Sequence, residues 1–209
     1  MNQAKPFFIT GEAGHLECLM DLPEGTPVGI ALIAHPHPLY GGDMHNKVVQ
    51  TMAKAFNALG YVAVRMNCRG VGMSEGVHDQ GKGEAEDMAL LLERMQADFP
   101  GLPVVLGGYS FGTYVQSLLC ESLGKAGKPQ PRMVLVSTTA GMWTTDTVPA
   151  GTVLIHGDLD QMVPLSNLLD WARPQGLTVN VITGADHFYN RRLLPIRDII
   201  TVQFRKDQA

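Results

Sequence analysis

The sequence predicts an α/β fold in which a mostly parallel central sheet is covered by helices on both faces. Short runs rich in Val, Ile and Leu, such as VGIALIA at 28–34, are apolar throughout, which is typical of parallel strands buried on both faces. These runs alternate along the chain with segments whose apolar residues recur at helical spacing. Such alternation is typical of β-α-β connections and therefore of a parallel sheet.

The length and composition fit one compact domain that spans residues 1–209. The chain has 209 residues, of which 45% are hydrophobic and 17% are charged, and its formal net charge is −4. These values are typical of a globular protein with a sizeable core. Acidic and basic residues are mixed along the chain, so we expect no binding to nucleic acid and none to a membrane.

The N-terminal segment and the cysteines bear on the cellular compartment. The segment MNQAKPFFITGEAGH lacks the apolar h-region of a secretory signal, and the longest apolar runs are too short to span a bilayer. Cys18, Cys68 and Cys120 lie far apart without a C-x-x-C pair, which is typical of buried thiols in a reducing compartment. We therefore expect a soluble cytoplasmic protein.

Each element is predicted from its own pattern. The chain opens on an antiparallel hairpin with strands at 6–10 and 15–22, separated by Gly11 and Gly14. The segment 47–60 has apolar residues at helical spacing and ends at a glycine, which indicates a helix. Further strands are expected at 28–34, 61–67, 103–109, 132–137, 152–157 and 177–182. Further helices are expected at 84–96, 112–123, 164–172 and from about Asn190 onward.

The pattern G-x-S-x-G occurs twice, and its context distinguishes the two copies. Ser110 in GYSFG lies directly between a predicted strand and a predicted helix. Such an abrupt turn raises the serine hydroxyl above the sheet at a helix N-terminus, where free N–H groups can stabilise an oxyanion. Ser74 in GMSEG lies in a glycine-rich loop, and no helix follows it at once. The sequence therefore favours Ser110 as a nucleophile and Ser74 as a loop serine.

Two other kinds of site are indicated only weakly. The segment GVGMSEG does not have the G-x-G-x-x-G spacing of a dinucleotide-binding loop, and no helix begins at its last glycine. His35 and His37, with His45, are alternative metal ligands, because the side chains of H-x-H share one face of an extended segment. The prolines between them would hold that segment extended. We nevertheless expect no metal and no other cofactor.

A serine nucleophile needs a base, and the base needs a carboxylate that orients it. Two histidines follow Ser110, namely His156 at the end of a predicted strand and His187 in the loop GADHF. A loop histidine can reach over the serine, so His187 is the predicted base. Asp158 and Asp160 in HGDLDQMVP are the candidate acids, and their spacing does not choose between them.

Together these motifs resemble those of the α/β-hydrolase superfamily along essentially the whole chain. The motifs HPHPLYGG, RGVGMSEG, GYSFG, HGDLDQMVP and GADHF stand in the order of that superfamily, in which an acid and then a histidine follow the serine. The chain is similar in particular to small bacterial hydrolases without a cap domain, related to dienelactone hydrolase and to prolyl-oligopeptidase-like domains. The resemblance implies a triad of Ser110, Asp160 and His187, because Asp160 is the second aspartate of G-x-x-D-x-x-V-P.

The same resemblance implies an oxyanion hole. Its two donors would be the backbone N–H groups of Phe111, directly after the nucleophile, and of His37, in the loop after the third strand. The sequence departs from the superfamily here, because Pro36 replaces the usual glycine and has no N–H. We therefore expect Pro36 to stiffen the loop rather than to donate.

The connection between the strands at 132–137 and 152–157 predicts an open cleft. Its residues, 138–151, are too few for a helical lid domain. Tyr40, Met142 and Trp143 are candidate substrate-binding residues in the walls of this cleft. A homodimer partner or the HPHPLYGG loop is an alternative roof.

The sequence therefore predicts a serine hydrolase that cleaves ester-like acyl bonds of a small-molecule substrate through an acyl-enzyme, as a short-chain carboxylesterase does. A thioesterase or a peptidase with the same triad is the alternative among enzymes. A binding protein that retains the fold without catalysis is an alternative of another class, because a fold by itself does not secure function.

Overall fold

A computed structural model describes residues 4–143 and 147–205 of the chain. Its strands are β1 (Lys5–Gly11), β2 (Gly14–Asp21), β3 (Gly29–Ala34), β4 (Tyr61–Met66), β5 (Val104–Tyr109), β6 (Arg132–Val136), β7 (Val153–Gly157) and β8 (Val179–Ile182). Its α-helices are α1 (Lys47–Ala58), α2 (Lys82–Asp98), α3 (Phe111–Lys125), α4 (Leu165–Ala172) and α5 (Leu193–Phe204). Two short 3-10 turns lie at Pro38–Tyr40 and Arg173–Gln175.

The strands form one eight-stranded sheet in the order β1-β2-β4-β3-β5-β6-β7-β8. The N-terminal hairpin pairs β1 with β2 antiparallel, with Lys5 opposite Met20 and Gly11 opposite Gly14. Strand β2 then pairs antiparallel with β4, and every later pair in the order is parallel. The predicted fold class, a mostly parallel sheet with an antiparallel N-terminal hairpin, is confirmed.

Helices cover both faces of the sheet because the parallel strands are apolar on both sides. Successive side chains of a strand point to opposite faces, so Ile30 and Leu32 pack into one core and Ala31 and Ile33 into the other. The first core also contains buried residues of α2, α3 and α4. The second contains those of α1 and α5.

The position of the site follows from the strand order. The chain passes from β3 through α1 to β4 on one side, and later enters β5 on the other side of β3. In open α/β sheets, ligands bind outside the carboxyl ends of the strands at such a reversal. Ala34, the last residue of β3, pairs with Gly108 near the end of β5. The loop after β3 and the turn after β5 therefore begin side by side.

The last helix begins later than the sequence indicates. We expected it from about Asn190, but α5 starts at Leu193. Tyr189 and Arg191 have positive φ angles of 52° and 59°, which no α-helix accommodates. The carboxylate of Asp186 accepts hydrogen bonds from the backbone and side-chain N–H groups of Asn190, which closes a turn instead.

The connection between β6 and β7 has no lid in the part that the structure describes. Residues 137–143 and 147–152 contain turns and irregular backbone and no helix. Within the described ranges, no helix has the length and apolar character needed to cross a membrane.

Candidate active site

Ser110 lies at the tip of a strained turn between β5 and α3. Its φ of 52° and ψ of −122° lie outside the regions that L residues ordinarily occupy. The Ser110 N–H donates to the carbonyl of Val136 at 2.9 Å, which anchors the turn to the neighbouring strand β6. Helix α3 begins at the next residue, Phe111. Backbone strain of this kind costs about 1–3 kcal/mol and is concentrated at functional sites.

The two glycines of GYSFG are required by close backbone contacts. A Cβ atom at Gly112 would overlap the carbonyl oxygen of Ala34, at the end of β3. A Cβ atom at Gly108 would lie 2.5 Å from the carbonyl oxygen of Gly112. The absence of side chains at both positions therefore lets the turn double back against the sheet.

Ser110, His187 and Asp160 form one chain of hydrogen bonds. The distance from His187 Nε2 to Ser110 Oγ is 3.1 Å, and that from His187 Nδ1 to Asp160 Oδ2 is 2.7 Å. His187 and Asp160 are each only 5% exposed. Because a carboxylate can only accept, Nδ1 carries a proton toward Asp160, and in the neutral ring Nε2 is left to accept from Ser110. The structure thus brings together the three side chains predicted as a triad.

The surroundings of Asp160 keep it ionised. Burial by itself raises the pKa of Asp160, but the hydrogen bond from His187, the Val163 N–H and the neighbouring imidazoles together lower that pKa below its ordinary value. Asp160 Oδ1 accepts from the N–H groups of Met162 at 3.0 Å and Val163 at 2.8 Å. Those two bonds hold the carboxylate so that Oδ2 faces His187.

The alternative acid and base lie elsewhere in the structure. Asp158 is exposed, and its Oδ1 accepts from the Gly184 N–H at 2.6 Å. His156 is fully buried, and its Nε2 donates to the Val163 carbonyl at 2.8 Å. Burial lowers the pKa of His156, so its ring stays neutral. The geometry therefore favours Asp160 over Asp158 and His187 over His156.

Ser74, the serine of the second G-x-S-x-G copy, is buried in a structural network. Its Oγ donates to the Asn67 carbonyl at 2.8 Å and accepts from the Glu17 N–H at 2.9 Å. Both bonds tie the glycine-rich loop to the hairpin strand β2 and the end of β4.

The two predicted oxyanion donors lie in the turn after β5 and in the loop after β3. The N–H of Phe111 is the first of α3, and helix N-terminal N–H groups have no intrahelical acceptor. The loop after β3 places His37 at the start of the 3-10 turn, and the His37 carbonyl accepts from the N–H groups of Tyr40 and Gly42. The chain therefore turns directly after His37. The rings of His37 and Phe111 lie with their centroids 4.9 Å apart.

His35 is used inside the protein rather than at the surface. Its Nε2 accepts from the Cys68 N–H at 2.9 Å, so its Nδ1 carries the proton and donates to the Pro36 carbonyl at 2.6 Å. Both ring nitrogens are thus occupied by the backbone. Among the residues that the structure describes, no group of three or more His, Cys, Asp or Glu side chains could hold a metal ion.

Acid should destabilise the fold through His35. Complete burial lowers its pKa to about 4, whereas an unfolded chain has the ordinary value of 6.5. Between these pH values the unfolded state binds more protons, so the free energy of unfolding falls as the pH falls. Above about pH 6.5 the ring is neutral in both states and the free energy of unfolding is not reduced. By about pH 4 the protonation of His35 in the unfolded state lowers that free energy by about 3 kcal/mol.

Urea unfolding between about pH 7 and pH 4 tests this expectation. The variant His35→Gln, which does not titrate, should start less stable at neutral pH and lose less stability than the wild type as the pH falls. Equal slopes for the two proteins would contradict the assignment to His35.

Two of the three predicted wall residues pack beside the oxyanion donors. The ring of Trp143 lies 5.5 Å from that of His37 and 5.2 Å from that of Phe111. The ring of Tyr40 lies 4.8 Å from that of His37 and is 84% exposed. Met142 is exposed in the turn after Thr139.

Four further residues at the site were missed by the sequence analysis. Ser137 donates to Asp160 Oδ2, the hydroxyl of Tyr109 donates to the His187 carbonyl at 2.8 Å, and the ring of His78 lies 4.9 Å from that of His37. The fourth is Tyr189, which is buried with its hydroxyl 3.0 Å from that of Ser137. Tyr109 is the last residue of β5, and Ser137 directly follows β6. Because sites in such sheets lie at the carboxyl ends of the strands, these positions could have indicated that both residues belong to the site.

This arrangement combines a hydroxyl, an imidazole that accepts its hydrogen bond, and an ionised carboxylate on the far side of that imidazole. It can transfer a proton from Ser110 to His187 and stabilise the resulting cation. The N–H groups at the start of α3, directly after Ser110, can hold a negatively charged oxygen. The arrangement is suited to acyl transfer.

Comparisons with known proteins agree with this chemistry. Residues 29–181 match the family described as serine aminopeptidase, S33. The chain is similar to an α/β serine hydrolase without a lid from Xanthomonas campestris, with 31% identity and a TM-score of 0.90 over 99% of this chain and 95% of that one. It is also similar to an α/β serine hydrolase homologue from Coxiella burnetii, with 31% identity and a TM-score of 0.84 over 96% and 97% of the two chains.

Two further proteins are similar to this chain at slightly lower sequence identity. An uncharacterized protein of Rickettsia prowazekii is 29% identical over 194 residues, which cover 87% of this chain and 81% of that protein. Human monoglyceride lipase is 28% identical over 113 residues, which cover 53% of this chain and 36% of the lipase. The narrower likeness to dienelactone hydrolase stays a prediction.

Proposed function

Because this chain belongs to the family described as serine aminopeptidase, S33, within the α/β-hydrolase superfamily, we propose that it is a serine hydrolase that cleaves carboxylic esters of short acyl chains. The observation that carries the proposal is the hydrogen-bonded chain from Ser110 through His187 to Asp160. The substrate is a small acyl compound, and the reaction uses no cofactor.

The reaction begins with transfer of the Ser110 proton to His187 Nε2 as Oγ attacks the carbonyl carbon. The existing bond of 3.1 Å between these atoms supports this step, because the proton moves along it without rearrangement. Asp160 holds the imidazole by Nδ1 and stabilises the cation that forms. His187 then returns the proton to the leaving alcohol, which departs and leaves Ser110 acylated.

The tetrahedral intermediate carries a negative oxygen that must be stabilised. The N–H groups of Phe111 and His37 are the proposed donors, and loss of one such donor typically raises the barrier by about 3 kcal/mol. His187 then takes a proton from a water molecule that attacks the acyl-enzyme, which forms a second tetrahedral intermediate. This intermediate releases the acid as His187 returns the proton to Ser110 Oγ.

The leaving group distinguishes the proposal from its alternatives. The similarity to human monoglyceride lipase, whose name specifies an ester substrate, supports ester cleavage. The family description, serine aminopeptidase, supports a peptidase as the second candidate. A hydrolysis screen of esters, thioesters and aminoacyl amides of one acyl group tests the choice. Esters should be cleaved with the highest kcat/KM, and a preference for aminoacyl amides would favour the peptidase.

Acyl chain length should have a limited effect on rate. A lid would bury long chains, and each buried methylene contributes about 0.8 kcal/mol. The described parts of the β6–β7 connection contain no helix that could form such a lid. We therefore expect kcat/KM to be highest for acyl groups of about two to six carbons and to show no activation by lipid interfaces.

A series of esters from about two to sixteen carbons measures this dependence. A steady rise in kcat/KM to the longest chains would contradict the open cleft and would require a roof from a dimer partner or from the HPHPLYGG loop. Repeating the series over a range of protein concentrations separates these two sources, because only the dimer depends on concentration.

A further inference from the structure

Asp160 Oδ2, the carboxylate oxygen that faces His187, has a second donor. The hydroxyl of Ser137 donates to this oxygen at 3.0 Å, while His187 Nδ1 lies at 2.7 Å. His156 Nε2 is 3.6 Å away and donates to the Val163 carbonyl instead. Among the described residues, Ser137 and His187 are therefore the two donors within hydrogen-bond distance of Oδ2.

A buried tyrosine stands behind Ser137. The hydroxyls of Tyr189 and Ser137 are 3.0 Å apart, and both residues are fully buried. A serine hydroxyl has one proton, and the carboxylate can only accept, so that proton points to Asp160. Tyr189 must then donate to Ser137. Burial raises the pKa of Tyr189, so its hydroxyl keeps its proton throughout the neutral range.

The backbone at both positions is strained. Ser137 has a φ of 48° and Tyr189 a φ of 52°, and non-glycine residues adopt such angles rarely. Ser137 is anchored by its N–H, which donates to the Ile155 carbonyl at 2.9 Å. Tyr189 is anchored by its N–H, which donates to the Asp186 carbonyl at 3.2 Å. Strain that surrounding contacts maintain at two contacting residues points to a role beyond packing.

We propose that Tyr189 and Ser137 form a relay, Tyr189 O–H to Ser137 O–H to Asp160 Oδ2, that positions Asp160 against His187. Neither residue touches the substrate, so both are positioning residues. The proposal rests on the proposed function, because it assigns these residues a task in that reaction. The relay works by aiming the positive end of one hydroxyl dipole at the oxygen that His187 uses.

The relay should change the proton affinity of the site. The Ser137 dipole weakens the negative potential that Asp160 exerts on His187, so without it His187 holds its proton to higher pH. Among the described residues, the other ionisable groups around Asp160 and His187 are His156, Tyr189, Tyr109 and Asp186. The carboxylate of Asp186 accepts a hydrogen bond from Asn190. The three buried groups keep their protonation states across the neutral range, because burial lowers the pKa of His156 and raises that of each tyrosine.

Ser137→Ala and Ser137→Gly both remove the hydroxyl, and glycine in addition tolerates the positive φ. Each variant should lower kcat/KM about tenfold and move the acid limb of its pH profile up by about 0.5 pH unit. Tyr189→Phe should change both quantities in the same direction by a smaller amount. Because Tyr189 acts through Ser137, the double variant with Ser137→Gly should be no worse than Ser137→Gly alone.

The matched control is Ser117→Ala, which removes a buried serine hydroxyl that donates to the Thr113 carbonyl within α3. It should keep kcat/KM within about twofold of the wild-type value and leave the pH profile unchanged. An unchanged acid limb in both Ser137 variants, or additive losses in the double variant, would overturn the relay.

An NMR titration of the His187 ring tests the relay without any substrate. Its midpoint should rise in Ser137→Gly relative to the wild type and stay in place in Ser117→Ala. If the wild-type protein hydrolyses no ester, the proposed function fails, yet this titration still decides whether the relay exists. If esters are hydrolysed and the midpoint does not move, the relay alone is wrong.

Discussion

Replacing Ser110 by alanine is expected to lower kcat for ester hydrolysis by about 10⁶-fold, to the level that binding and oxyanion stabilisation alone support. The physical reason is that the acyl-enzyme cannot form without Oγ, whereas His187 and Asp160 keep their own bond. A fluorophosphonate probe should modify wild-type Ser110 and leave Ser110→Ala unlabelled. The melting temperature should stay near the wild-type value, because a partly exposed hydroxyl contributes little to the core.

Ser74→Ala is the matched control for this experiment, since it alters the serine of the other G-x-S-x-G copy. It should retain labelling and turnover but lose about 1–2 kcal/mol of stability, because the buried Ser74 hydroxyl makes two hydrogen bonds. Peptide mapping that placed the adduct on Ser74, or that found none in the wild type, would contradict the assignment. The second of these outcomes would favour a non-catalytic binding protein.

Replacing Asp160 by asparagine is expected to lower kcat by about 10⁴-fold. The N–H groups of Met162 and Val163 donate to Oδ1, so an amide must turn its oxygen to them and its NH₂ group toward His187. That NH₂ donates to Nδ1 and forces the proton onto Nε2, where the ring can no longer accept from Ser110. The substitution therefore leaves the geometry in place and produces the wrong tautomer.

Asp158→Asn is the control, because it makes the same chemical change two residues away. The exposed Asp158 accepts from the Gly184 N–H, and an amide oxygen can still accept that bond. We expect kcat to fall by less than about tenfold, with any loss arising from the loop that carries His187. A larger loss for Asp158→Asn than for Asp160→Asn would make Asp158 the orienting acid and contradict the resemblance to the superfamily.

The acid shows how far sequence reasoning reaches at this site. The D-x-D spacing left Asp158 and Asp160 equivalent, and resemblance alone favoured Asp160. In the structure the turn after β7 points Asp160 into the protein, where Met162 and Val163 hold it, and leaves Asp158 at the surface. The two aspartates are two residues apart, and the path of the turn decides which of the two side chains points inward. The D-x-D spacing does not specify that path.

The relay residues illustrate what sequence patterns omit. Ser137 directly follows the apolar residues that end β6, and Tyr189 is two residues beyond His187. The two lie 52 positions apart, and neither belongs to a motif that indicates catalysis. They meet because β6 and β8 are parallel to β7 between them, so the segments that follow these strands leave the sheet at the same edge. The start of α5 at about Asn190 was wrong because Tyr189 and Arg191 have positive φ angles, which the spacing of apolar residues in this segment does not indicate.

The sequence by itself determined the alternation of strands and helices, the N-terminal hairpin and the strand-to-helix setting of Ser110. These features depend on hydrophobic periodicity and on glycines within a few residues, so they are local and readable. The tertiary structure alone decided the strand order, the approach of His187 to Ser110, the inward turn of Asp160 and the burial of His35. Each of these joins residues distant in the chain, and their contacts arise from packing against a common sheet.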